Sequence, residues 1–258
     1  VLVLVCVLVL VLLVAVVVIM QRRDLESGYD PRAFEGLSDR RVRLGFVKRV
    51  YLTVTAQLAA TAFLAAPIAV AGDAWLQAHA ALMLYSSVGF IALLALTFCW
   101  GDLLRKHPWN LVILAAFTSL ESVSVGFMCA MYDLDSVVLC LAATAAVTAA
   151  LTVLAFTTKI DVTGKGGYLA AMSMGLFCFG VFGLFVRTPL LQMVYAFGGA
   201  ALASGYIVYD MQRIAGGKHQ IRRFGIDDYV LASLTLYLDL IRLFMFLLRI
   251  LGKRRQRD

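Results

Sequence analysis

The chain has 258 residues, of which 62% are hydrophobic and 15% charged, against roughly 45–50% and about 25% in soluble domains. That much apolar surface exceeds what one soluble core of this size can hide, and disordered chains are poor in apolar residues. Both classes are therefore excluded, leaving an integral membrane protein whose first partner is the lipid bilayer. The net charge of +7 is read as membrane orientation, with no nucleic acid as partner.

Eight stretches approach the roughly 20 apolar residues that a helix needs to cross a bilayer. They are residues 1–20, 50–71, 80–99, 109–131, 137–158, 168–186, 190–209 and 229–251. Each is expected to be helical, because an isolated strand leaves its backbone unsatisfied in lipid. The alternating segments of a β-barrel are absent. Half of residues 1–20 are valine, without the basic flank and small-residue cleavage site of a signal peptide. This stretch is expected to be either an additional transmembrane helix or a gene-model artefact. Residues 21–49 then form a basic cytoplasmic segment, 50–251 a seven-helix transmembrane domain and 252–258 a basic tail. The expected fold is an all-α polytopic membrane protein, a seven-helix bundle with a central last helix.

Charge sets the orientation. With the segment before Val50 in the cytoplasm, Arg22, Arg23, Arg32, Arg40, Arg41, Arg43, Lys48 and Arg49 fall on that side. So do Arg105, Lys106, Lys159, Lys165, Arg213, Lys218, Arg222 and Arg223, whereas the opposite loops hold only Arg187. This is a strong positive-inside asymmetry. The tail residues Lys253, Arg254, Arg255 and Arg257 leave two alternatives open. Either the last helix is re-entrant or half-crossing, or it crosses fully and breaks the rule.

Five cysteines, Cys6, Cys99, Cys129, Cys140 and Cys178, lie in apolar segments without a CxxC pair, which argues against a disulfide framework or zinc site. Three acids stand where carboxylates are costly: Glu121 in FTSLESVSVGFM, Asp210 in SGYIVYDMQRI and Asp239 in LTLYLDLIRLFMF. The plain reading gives Asp239 an i,i+3 ion pair with Arg242, leaves Asp210 solvated at the cytoplasmic end of its helix and hydrogen-bonds Glu121 through Ser119, Ser122 or Ser124. The sharper reading joins Asp210 and Asp239 in one site. Asp239 lies about 15 Å along its helix at 1.5 Å per residue, so tilt or unwinding would be needed to bring them together. Two carboxylates in one secluded pocket titrate as a coupled pair. They would hold a proton at low pH or a hard cation such as Ca²⁺ at high pH. Arg105, Lys106 and Arg242 are the candidate counter-ions, and Glu121 a pore-lining or buried acid.

Five runs carry a family likeness: RRVRLGFVKRVYLTVTAQLAAT, RKHPWNLVILAAFTSLESVSVG, AVTAALTVLAFTTKIDVTG, SGYIVYDMQRIAGG and DDYVLASLTLYLDLIRLFMFLLRILG. In this order they resemble the transmembrane Bax-inhibitor-motif family, in particular its Lifeguard-like branch, over about residues 40–252. The resemblance implies seven helices in the endoplasmic reticulum or Golgi, or in the plasma membrane. It also implies a pH-dependent Ca²⁺ leak and suppression of cell death, through cell-death regulatory membrane proteins as partners. The paired pH-sensing aspartates of the family look like Asp210 and Asp239, which would also be the Ca²⁺ site, and its third-helix acid looks like Glu121. Arg242 departs from the pattern, since a neutral polar residue often follows YLDLI, and a fixed cation there opposes cation binding.

Enzyme chemistry finds little support. His79, His107 and His219 lie in loops, and neither HExxH nor GxSxG occurs, so no catalytic residue is assigned and the chain is not expected to be an enzyme. No cofactor is expected, with Ca²⁺ entering as the transported ion. GKGG at 164–167 lacks the remainder of a phosphate loop and reads as a turn. Two functions remain: a Ca²⁺ leak gated by Asp210 and Asp239, and a non-conducting regulator of cell death.

Overall fold

The computed structural model describes residues 40–99, 108–186, 188–215 and 228–255. They form α1 (Arg40–Ala69), α2 (Asp73–Ala78), α3 (Ala80–Cys99), α4 (Trp109–Cys129), α5 (Leu134–Thr157), α6 (Gly166–Phe185), α7 (Pro189–Ala215) and α8 (Tyr229–Leu251). A single 3₁₀ turn, Thr163–Lys165, leads into α6. Among the described residues there are 7 helices long and apolar enough to cross a membrane, so the chain is an all-α polytopic membrane protein. The apolar residues 1–20 and the basic residues 21–39 lie outside the described residues.

Three differences from the hydropathy reading exceed a shift of a few residues. α1 begins at Arg40, ahead of the apolar stretch, because Phe46 and Val50 already pack into the core and the intervening Lys and Arg are good helix formers. The loop GDAWLQA winds into α2, whose Leu76 is buried against Phe127 and Ala130. α7 runs on to Ala215, which places Asp210 within the helix and not at its end.

α8 is the centre, and its sequence explains why. Val230, Leu234, Tyr237, Ile241, Phe244 and Leu248 recur at alternating steps of four and three, and pack in one core cluster with residues of α1, α4 and α5. Ala232, Leu236, Leu240 and Leu243 form a second stripe, packed with Ala203, Ile207, Met211 and Ile214 of α7 and with α1 and α5. A helix apolar on two faces belongs inside. Its principal neighbours are α7, α1, α5 and, less extensively, α4; α3 leans on α4, and α6 on α7.

The last helix runs the length of the bundle. The Asp133 amide donates to the Lys253 carbonyl at 3.0 Å and the Arg255 amide to the Met131 carbonyl at 3.1 Å. The Lys253 amide also donates to Ser136 Oγ at 3.0 Å, and Tyr132 pairs with Arg254 in an isolated antiparallel bridge. These bonds fix the end of α8 to the turn between α4 and α5, at the opposite end of the bundle from the α7–α8 connection. An unbroken helix with its end at the α4–α5 turn is the geometry that the second alternative requires, and it sets the start of the basic tail beside Asp133. Gly252 is needed there, since a Cβ would strike the Leu248 carbonyl and the Tyr132 ring.

Candidate functional site

α7 and α8 make the most extensive helix pair in the molecule, and the two aspartates lie within it. Asp210 is three residues beyond Ile207 and four before Ile214, in register with the stripe that α7 turns to α8. Asp239 likewise follows Leu236 by three and precedes Leu243 by four. Each acid is therefore carried into the contact by the spacing of its apolar neighbours, without any unwinding of α8. Both are enclosed, Asp210 at 3% and Asp239 at 4% exposure. The Thr235 hydroxyl, one turn before Asp239, lies within hydrogen-bonding reach of the Asp210 carboxylate, and the two carboxylates feel each other's charge.

Each acid has an arginine one turn ahead on its own helix. Arg213 Nη1 stands 3.8 Å from Asp210 Oδ1, and Arg242 Nη1 stands 3.6 Å from Asp239 Oδ1. The arrangement is thus a facing pair of D-x-x-R turns. Arg242 was foreseen as a counter-ion, whereas Arg213 was not, although the shared spacing of YDMQR and LDLIR was a visible signal. Arg105 and Lys106, the other expected counter-ions, lie outside the described residues.

Glu121, on α4, is half-buried and within the field of Arg242, and its own charge reaches Tyr237. Two of the three serines expected to hold it do otherwise: Ser119 donates to the Ala115 carbonyl and Ser122 to the Thr118 carbonyl of their own helix. Polar groups continue inward from there. The Tyr237 and Thr61 hydroxyls share a hydrogen bond at 2.7 Å, and Gln57 Nε2 donates to Thr118 Oγ1 at 3.1 Å. Gln57 Oε1 is buried without a hydrogen-bond partner among the described residues. A polar seam therefore links the aspartates to the interior of the α1–α4 contact. Among the described residues, no three His, Cys, Asp or Glu side chains converge to hold a metal.

Sequence reasoning also missed a clamp behind the site. Gln212, fully buried, accepts from the Val162 amide at 2.8 Å and donates to the Ile160 carbonyl at 3.0 Å. Its amide engages the backbone as a neighbouring strand would and bolts the α5–α6 connection to α7. Asp161 Oδ1 accepts from the Thr163 amide and hydroxyl at 2.9 and 2.6 Å, bracing that connection from within.

The comparisons with known proteins agree with this architecture. The family described as "Inhibitor of apoptosis-promoting Bax1" matches residues 43–256. Human protein lifeguard 3 is 29% identical over 227 residues, covering 84% of this chain and 71% of that protein. The mouse protein lifeguard 3 gives 29% over 224 residues with the same coverage. A BI1-like protein of Arabidopsis thaliana is 33% identical over 244 residues, covering 88% of this chain and 89% of that protein. With nearly the whole described bundle inside the match, this chain belongs to the Bax-inhibitor family, among lifeguard and BI1-like proteins.

Proposed function

We propose that the protein is a pH-sensitive Ca²⁺ leak of the endoplasmic reticulum or Golgi membrane, regulating calcium homeostasis and suppressing cell death. Asp210 and Asp239 act as its gate and proton sensor, and Glu121 borders the path. The observation that carries this reading is the facing pair of D-x-x-R turns: two enclosed carboxylates on adjacent helices, each with an arginine within 4 Å. Protons, guanidinium groups and a passing cation compete for the same oxygens. Protonating either carboxylate removes the charge that holds its arginine, so pH acts on the contact between the two most closely packed helices.

The test is Ca²⁺ flux into liposomes loaded with an indicator dye, measured across pH. Wild type is expected to give a flux that varies with pH, and Asp210→Asn and Asp239→Asn to remove that variation. Equal, pH-insensitive traces for wild type and both variants would falsify the gate. One observation favours a second reading, a non-conducting regulator acting through membrane partners: with both acids ionised, the two arginines leave the cluster with no net charge to offer a cation. In that case the variants alter cell-death protection without altering flux.

A further inference from the structure

From Leu236 to Phe244 every residue of α8 is buried except Arg242. The side chain of Arg242 is 55% exposed, whereas that of its partner Asp239 is 6% exposed. Over this stretch the wall around the central helix is open only where that guanidinium stands. Groups of three helices face that cation. Asp239 is on α8 itself, Glu121 on α4 lies within its field, and Asp210 and Tyr206 on α7 do so too. α4 and α7 flank α8 without packing extensively on one another. Tyr206 is held by Ser173 of α6, their hydroxyls 2.8 Å apart, and among the described residues the other cation of this cluster is Arg213, paired with Asp210.

A guanidinium in mid-bilayer is costly unless charge or water meets it. Its ion pair with Asp239, at 3.6 Å, is longer than a good charge-assisted hydrogen bond. The contact is thus an ion pair without a close hydrogen bond, on a long stem whose head is more than half exposed.

We propose that Arg242 is a tethered cation, which occupies the opening between α4 and α7 where a permeating divalent cation would otherwise sit and so sets how readily such a cation enters. The proposal rests on the leak reading given above and names the residue that determines access to its path. The mechanism is substitution of like charge for like charge. While the guanidinium stays, Glu121 and Asp239 are screened from an entering ion. When it swings outward, their field becomes available. The three carboxylates do not converge as a chelating set, so the ion would be held by this field and released again.

The experiment compares wild type, Arg242→Gln and Arg242→Lys in two measurements, Ca²⁺ flux into dye-loaded phosphatidylcholine liposomes and equilibrium dialysis of radiolabelled Ca²⁺ against detergent-purified protein. Removing one unit charge a few ångströms from the ion is worth about a tenfold change in occupancy. Arg242→Gln is expected to bind Ca²⁺ about tenfold more tightly and to pass it faster, while Arg242→Lys, which keeps the charge, behaves as wild type. Tighter binding without any flux would uphold the tethered cation and overturn the leak reading. Unchanged binding in an Arg242→Gln protein that elutes as a single folded species would overturn the proposal, as would an equal gain in Arg242→Lys.

Discussion

α6 and α8 make an instructive pair. Both have a mean hydropathy of 1.9, yet in an apolar stretch of 18 residues 61% of those in α8 are enclosed by protein and 0% of those in α6. Apolar character therefore decides that a segment enters the bilayer, not where it sits within the bundle. The polar minority makes that decision. α6 carries no charged residue, whereas α8 carries the enclosed Asp239, Tyr237 and Ser233. Lipid solvates hydrocarbon as well as a neighbouring helix does, so helices gain by burying their polar groups against one another. In this solvent the inside of the protein is marked by what is not greasy.

Substitutions can break or sharpen this contrast. The largest effect is expected in the inner layer at Gly126, where a Cβ would lie 2.8 Å from Ile68 Cβ and 3.1 Å from the Ala65 carbonyl oxygen. Gly126→Leu should separate α1 from α4 and cost about 3 kcal/mol. The check is loss of the monodisperse peak in detergent chromatography after mild heating. Next comes the attachment of the outer layer. Gln212→Ala should cost about 2 kcal/mol by orphaning the Val162 amide and the Ile160 carbonyl. Hydrogen exchange should then rise around residues 160–166 and leave the centre of α8 protected.

A smaller change tests the polar seam. Tyr237→Phe loses the hydroxyl shared with Thr61 and should cost about 0.6 kcal/mol, at most about 1.7, read from the unfolding midpoint. The smallest effect belongs to α6, where nothing lies within 4 Å of a Cβ built on Gly175. Gly175→Ala should be neutral, or stabilising by about 0.5 kcal/mol through helix propensity. If it destabilised as much as Gly126→Leu, the contrast between layers would be wrong.

The number and approximate extent of the helices were legible because a bilayer demands long apolar segments. The likeness of five motifs was legible because they recur in order. Packing order was harder to read. The alternating apolar stripe of α8 announces a buried helix, but nothing in hydropathy tells which neighbours take which face. Asp210 and Asp239 were recognisable as misplaced charges. Their meeting was legible only as one of two readings, and one that called for tilt or unwinding, because the end of α7 was drawn at Tyr209, where the apolar run stops, although the helix continues to Ala215. Arg213 escaped notice as a loop cation for the same reason. Gln212 was illegible because both of its partners are backbone atoms of a distant connection, and backbone atoms leave no trace in sequence.

The strap between residues 253–255 and the turn after α4 bears on how the molecule is assembled. The helix that fills the middle is synthesised after all those that surround it, so until it arrives the ring around it encloses a gap lined by Gln57, Thr61 and Thr118. Its far end, with three cations, must then travel the whole thickness of the bundle before the backbone pairs at Met131 and Asp133 can close. A bulky or strongly charged fusion joined after residue 255 would have to make the same journey, so its expected consequence is an unfilled, short-lived shell and not merely a labelled protein.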